Sequence, residues 1–389
     1  MKVQPKRPLR FSEVEIRNWR NFTQVSVALA RRAFLVGANA SGKSNFLDVF
    51  RFLRDIVSVG GGFQDAVRRR GGVSKLRSLA ARRYPEISIR VALGDDETKA
   101  IWRYEIEFTQ DNRQRPIIKR EAITKGSTEV LARPDLRDGR DPERLTQTYL
   151  EQVNVNQEFR EVADFFESVR YLHIVPQLVR EPDRSVGRAN DPFSGDFIEQ
   201  VARTPAKTRD ARLRRIREAV RVAVPQLKEL ELWRDPAVGS PHLRGKYEHW
   251  RPQGAWLMEN QFSDGTLRLL GLLWAVQDGA GPLLLEEPEL SLHPEVVRYI
   301  PQMFARAQRS SGRQICVSTH SPDLLRDEGI GLDEVLILAS APEGTTVRPA
   351  GSIEGIAELV REDSPIADAV IPYTRPQRAE QLSLALFGK

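Results

Sequence analysis

Gly37-Ala38-Asn39-Ala40-Ser41-Gly42-Lys43-Ser44 combines two glycines, an amine and a hydroxyl at the spacing that folds a chain around phosphate oxygens. The glycines are needed because backbone N–H groups must approach the phosphates closely, and side chains there would block them. Lys43 is expected to reach the β- and γ-phosphates of a nucleotide, and Ser44 to ligand Mg²⁺. The cradle so expected comprises Gly37, Asn39, Ala40, Ser41, Gly42, Lys43, Ser44 and Asn45. A strand-like run, Ala33-Phe34-Leu35-Val36, precedes the loop, and Phe46, Val49, Phe50 and Leu53 follow it at helical spacing. That strand–loop–helix setting distinguishes a phosphate loop from a chance glycine turn, and the helix adds its positive N-terminal dipole.

Three later segments carry chemistry of the same kind. Leu283-Leu284-Leu285-Glu286-Glu287 reads as a buried strand delivering two carboxylates at its C-terminal end, where α/β sheets bind ligands. Glu286 is expected to hold Mg²⁺ and Glu287 to orient and deprotonate an attacking water. On its own, the acidic pair before Pro288 would serve equally well as the first turn of a helix. Phe262-Ser263-Asp264-Gly265-Thr266 is either a plain helix cap or an anion site built from a helix N-terminus, a hydroxyl and a glycine backbone. Val317-Ser318-Thr319-His320 ends an apolar run on a histidine. A lone His is usually a packing residue, but its place after the carboxylate strand suits a sensor of the γ-phosphate.

These residues need a scaffold, and the chain supplies one of α/β type. Residues 9–36 read as strands, and alternating runs at 87–91, 101–108 and 117–123 read as an antiparallel meander. Residues 133–145, dense in Arg, Asp and Pro, read as a mobile loop, and 146–226 as mainly helical. A helix is expected from Thr208 to Val224, with Leu213, Ile216, Val220 and Val224 on one stripe and arginines around the rest. Two strands should follow, around 227–233 and 242–249. Three parts result: residues 1–132 as an N-terminal lobe, 133–250 as an insert and 251–389 as a C-terminal lobe.

Composition sets outer bounds. The 389 residues are 40% hydrophobic and 29% charged, an ordinary soluble balance, and the net charge of +6 is a weak pointer to nucleic acid. Cys316 stands in the apolar run Gln314-Ile315-Cys316-Val317 and reads as a core residue; a chain with one cysteine suits a reducing cytoplasm. No apolar run follows the basic opening residues, so no secretory signal is expected. Arg268, Gln277 and Asp278 interrupt the most apolar region, so no membrane span is expected either.

In order and content, the four motifs resemble those of the ABC-class ATPase heads shared by RecF, the SMC proteins and the OLD nucleases. The likeness is strongest to the compact stand-alone ATPases of that clan, which include defence-associated members. Ile16-Arg17-Asn18-Trp19-Arg20-Asn21-Phe22 resembles the family's N-terminal segment beside the nucleotide, which implies roles there for Asn18 and Arg20. Ala66-Val67-Arg68-Arg69-Arg70-Gly71-Gly72 is similar to a segment of the stand-alone group, and Leu285 to Pro294 to its Walker B and D-loop run. The resemblance implies an ABC-ATPase head with a P-loop mixed or parallel sheet core, an N-terminal antiparallel β lobe and a mainly helical insert. It also implies ATP and Mg²⁺ as cofactors, Glu287 as base and His320 as switch histidine. Ser263 and Gly265 would act in trans, in a homodimer that sandwiches two nucleotides.

Departures and absences narrow the reading. Glu286 stands where Asp is commoner, the signature lacks a second Gly and a final Gln, and Gln64 is the one tempting Q-loop residue. The span from Lys43 to Ser263 exceeds what a transporter subunit needs, and no heptad array suggests a long SMC arm. Residues 321–389 show no acidic metal cluster, so no intrinsic nuclease is expected. The resemblance implies an ATP-hydrolysing switch that gates a separately encoded nuclease or toxin in DNA metabolism or phage defence. The alternatives are an ATP-binding scaffold with little turnover, or an ATP-controlled grip on DNA through Arg68, Arg69, Arg70, Arg82, Arg83 and the 212–221 face.

Overall fold

The structure, a computed structural model, describes residues 8–81, 85–181, 191, 193–249, 254–375 and 381. The chain opens with β1 (Arg10–Trp19), β2 (Phe22–Ala28) and β3 (Arg32–Val36), and the phosphate loop leads into α1 (Lys43–Val57). Short helices α2 (Phe63–Arg68) and α3 (Val73–Leu76) follow, then β4 (Ile87–Gly94), β5 (Trp102–Gln110), β6 (Pro116–Lys125) and β7 (Thr128–Arg133). Six strands form an antiparallel sheet in the order β2-β1-β4-β5-β6-β7. Their alternation is legible in the chain: Phe11, Val14 and Ile16 of β1 point inward, and so do Tyr104, Ile106 and Phe108 of β5. The fourth meander strand, β7, was not among the expected ones.

Residues 133–146 are a folded bracket and not the loop their composition suggests. They hold α4 (Leu136–Arg140) and a 3₁₀ turn (Pro142–Thr146), and Asp135 and Asp138 form a capping box at the start of α4. Arg133, wholly buried, donates to Asp138 at 2.8 Å and to Glu121 at 3.1 Å, and stacks on Tyr149. Arg133 and Asp138 thus cancel inside, while Arg137, Arg140, Asp141 and Glu143 stay exposed.

After α5 (Arg160–Glu167), the strand β8 (Arg170–Leu172) leaves the expected helical stretch to join the core sheet as its edge. Helices α6 (Pro176–Arg180), α7 (Phe197–Arg203) and α8 (Ala206–Ala223) then pack with a three-stranded sheet of β9 (Leu227–Arg234), β10 (Pro241–Tyr247) and β11 (Ala255–Met258). Leu213, Ile216 and Val220 form the buried stripe of α8, as their spacing requires. Next come α9 (Asp264–Gln277), β12 (Leu283–Glu286), α10 (Pro294–Val297), α11 (Ile300–Ser311) and β13 (Ile315–Thr319). The hairpin β14 (Val335–Ala341) and β15 (Gly344–Pro349), then α12 (Glu354–Arg361) and α13 (Ile366–Thr374), complete the described fold.

The core sheet runs β15-β14-β3-β13-β12-β8, parallel throughout except for β15. Both its faces are covered, which is why its strands are continuous apolar runs. Leu35, Leu284 and Cys316 face α1 and the antiparallel sheet, whereas Phe34, Leu285 and Val317 face α9, α11 and the C-terminal helices. Each wholly buried side chain of this size contributes about 1.5–3 kcal/mol. The strands β3, β12 and β13 are therefore rigid supports, and the loops at their C-terminal ends are held side by side.

Candidate functional site

The phosphate loop turns sharply between β3 and α1. Gly42 has φ +94° and Ala40 φ +62°, and a Cβ on Gly37 would come within 2.4 Å of the Leu338 carbonyl. Glycine at 37 and 42 is thus demanded by the fold as well as by any ligand. Lys43 is 6% exposed and lends its ammonium to the carbonyls of Gly37 (2.9 Å) and Ala38 (3.1 Å). Burial lowers its pKa, opposed by the charges of Glu287, Glu289 and Glu286. Ser41 Oγ is buried without a partner, while Asn39, Ala40 and Ser44 stand exposed at the rim.

Glu286 closes β12 directly opposite this loop. One carboxylate oxygen accepts the Ser44 hydroxyl and the other accepts the hydroxyl of Tyr171 on β8. Burial, then the charge of Glu286, pushes the Tyr171 phenol up, so it stays a neutral donor. The longer reach of Glu at this position still brings the carboxylate to Ser44. Glu287 follows in a left-handed conformation, φ +43°, and its N–H donates to Ser318 of β13 at 3.0 Å. Such a conformation costs a non-glycine residue about 1–3 kcal/mol and is typical of functional turns. It lifts the Glu287 carboxylate to His320, whose Nδ1 is 3.1 Å from Oε1. Both side chains remain partly open to solvent.

The donor set suits a magnesium nucleotide. A hydroxyl and a carboxylate offer Mg²⁺ the oxygen ligands it prefers. In the structure the Ser44 hydroxyl donates to the Glu286 carboxylate, and Lys43 donates to backbone carbonyls of its own loop.

Ser263 is exposed and caps α9, its Oγ accepting from Thr266 N–H at 3.2 Å. Gly265 has a separate reason to be glycine, since a Cβ there would lie 2.5 Å from the Ser291 carbonyl. The Ser263–Thr266 turn is thereby packed against the Ser291 segment of its own chain. Arg268, one turn on, feels Asp264, Glu287 and Glu289, although burial lowers its pKa.

Near the N-terminus, Asn21, not Asn18 or Arg20, holds the loop. Its amide donates to Ser41 O at 3.3 Å and to Thr345 Oγ1 at 2.7 Å, and its oxygen accepts from Asn45 at 2.6 Å. Asn18 is 4% exposed and donates to Glu86 O, whereas Arg20 pairs with Asp48 on the wall of a 760 Å³ cleft beside the loop. Gln64, the tempting Q-loop residue, spends its amide on the carbonyls of Pro116 and Thr146.

The basic residues weighed for DNA fare unevenly. Arg70 is buried between Asp48 and Asp55, and Arg68 and Arg69 pair with Asp65. Arg212, Arg217 and Arg221 pair with Asp278 or Glu218, while Arg214 and Arg215 are exposed. Arg82 and Arg83 lie outside the described residues.

Residues 32–326 match the family model described as "AAA domain, putative AbiEii toxin, Type IV TA system". The chain belongs to this AAA ATPase family. As a member it is a nucleotide-binding ATPase, and the matched span runs from β3 through the 3₁₀ turn after His320. Among solved structures, an SMC head bound to the C-terminal winged-helix domain of ScpA is similar with a TM-score of 0.54. The two are 13% identical over 87% of this chain and 96% of that one. An Smc head with an extended coiled coil, bound to the C-terminal domain of ScpA from Pyrococcus furiosus, has a TM-score of 0.50. There the identity is 11% over 91% of this chain and 100% of that one. At such identities the likeness is one of fold: this AAA family member has the fold of an SMC head. No curated protein matches the chain. Among its described residues no helix is long and apolar enough to cross a membrane.

Proposed function

We propose that the chain is an ATP-hydrolysing switch that closes as a homodimer around two Mg-ATP. The observation that carries this reading is the convergence of Ser44, Glu286, Glu287 and His320 at the ends of the loop and of two adjacent strands. Lys43 and the loop amides would bind the phosphates, Ser44 and Glu286 would hold the metal, and Glu287 would take the proton of the attacking water. Mg²⁺ would neutralise charge on the phosphate oxygens. His320, beside Glu287, would report the γ-phosphate.

Ser263 supports the split-site part of the proposal because it is exposed and its hydroxyl bonds stay within its own helix turn. A second copy would bring that helix N-terminus, a ready anion site, to the facing phosphate. The family description, with its toxin of a type IV TA system, favours a role in defence, and the ScpA-bound SMC heads favour a separately encoded partner on the head. Sedimentation of the Glu287→Gln variant tests the proposal: it should dimerise with ATP and revert when ATP is removed. A variant that binds ATP and stays monomeric overturns it.

A further inference from the structure

Beneath the Glu287–His320 pair lies a third carboxylate to which the reading above gives no task. Glu289 is 6% exposed, and its Oε2 is buried without a partner. Its Oε1 accepts the Thr319 hydroxyl at 2.5 Å. Thr319 is the last residue of β13, wholly buried, and immediately precedes His320. The same Thr319 oxygen accepts the backbone N–H of Ser321 at 3.0 Å. One hydroxyl therefore clamps the chain on both sides of His320, and the carboxyl of Glu289 holds that hydroxyl in place.

Two other bridges join the same pair of strand-end loops, Glu287 N–H to Ser318 O and the Glu287–His320 contact itself. The Glu289 bridge differs from the Glu287–His320 contact in being hidden from solvent. Burying a carboxylate is costly, and a carboxylate fully compensated by a cation would be cheaper than this one. Burial raises the Glu289 pKa, and Lys43 and Arg268 lie within its field without bonding to it.

Resting on the hydrolytic reading above, we propose that Glu289 is a positioning residue which, through Thr319, sets His320 against Glu287. It touches no nucleotide. Its effect is geometric: it holds the imidazole where the proposed base and the γ-phosphate meet, and small misplacements there are expensive in rate.

The test is a double-mutant cycle on steady-state ATP turnover, with ATP affinity and thermal midpoint measured alongside. Thr319→Val removes the donor at constant shape and should lower kcat roughly tenfold or more with ATP affinity unchanged, while the midpoint falls because the buried Glu289 carboxylate loses its donor. Thr319→Ser should restore most of the loss. Glu289→Ala should resemble Thr319→Val, Glu289→Gln should recover part of it, and the double variant Glu289→Ala/Thr319→Val should be no slower than the slower single variant. Additive losses, or a Thr319→Val chain that turns over normally, overturn the proposal. A fall in ATP affinity that parallels kcat, or a Thr319→Ser chain that regains the midpoint but not kcat, overturns it too, because either is the signature of a merely structural bond. Wild-type turnover abolished by Glu287→Gln is the control for the hydrolytic reading. If it fails, the reading falls together with the proposal, whereas normal turnover in Thr319→Val leaves the reading intact.

Discussion

The Glu287 carboxylate and the His320 imidazole face each other at 3.1 Å across the ends of two neighbouring parallel strands. Neither position is accidental. Glu287 is held by a left-handed backbone bonded to Ser318, and His320 follows a strand buried on both faces. A base and a polar partner on rigid strand ends are what positional catalysis of phosphoryl transfer requires. Replacing Glu287 by Gln should therefore lower kcat by roughly a hundredfold or more and leave ATP affinity near that of the parent chain. Single-turnover and equilibrium-binding measurements separate the two quantities. A parallel loss of binding would show that Glu287 holds the nucleotide in place of acting on it.

Lys43→Ala should weaken ATP binding by roughly tenfold to a hundredfold, the worth of a charge-assisted bond. The pH dependence has a definite sign. Burial lowers the Lys43 pKa, so the charged form that attracts phosphate is present below that lowered value and is lost as pH rises through it. Affinity for ATP should thus decline on the alkaline side before an exposed lysine would titrate. Calorimetric titration over a pH series checks this, and an affinity flat across that range would remove Lys43 from the phosphate site.

Glu286 shares its two oxygens between Ser44 and Tyr171. Tyr171 therefore orients the carboxylate that would hold the metal. Tyr171→Phe should raise the Mg²⁺ concentration needed for half-maximal turnover modestly, and Glu286→Gln should raise it several-fold. Magnesium titrations of ATPase activity distinguish the two, and identical curves for all three chains would dismiss Glu286 as a ligand.

The Arg133 cluster makes a prediction about stability alone. Arg133→Ala strands Glu121 and Asp138 in the interior and should cost about 3–5 kcal/mol in urea unfolding. Arg133 and the backbone of Asp135 hold the Asp138 carboxyl down to about 2. Its stabilising share is full above its unfolded value and is lost as pH falls from about 4 towards 2, so the gap between parent and variant should narrow in acid.

Much of this architecture was legible in the chain. The period-2 runs of β4–β6, the apolar strands of the core and the glycines of the phosphate loop each follow from a local rule that the fold obeys. What escaped had no local rule to follow. The three residues of β8 are too few to carry a period, and they become a strand only because β12 offers a free edge. Residues 133–146 look solvated because ion pairing inside the protein cannot be read from composition. Asn21 lay within the quoted N-terminal segment, but only the approach of the β15 residue Thr345 makes it the support of the loop. Glu289 carries no signal of its own in the sequence, and its burial is a property of the assembled strand ends.

The central claim is a nucleotide site divided between two chains, and mixing two inactive variants tests it most directly. Lys43→Ala lacks the ammonium proposed to bind phosphate, and Ser263→Arg blocks the exposed helix N-terminus, so neither alone should turn over ATP. Mixed in equal amounts, they should regain activity, because one site of the mixed dimer pairs an intact loop with an intact Ser263. If both variants fold and associate yet the mixture stays as inactive as its parts, the site is not shared between chains.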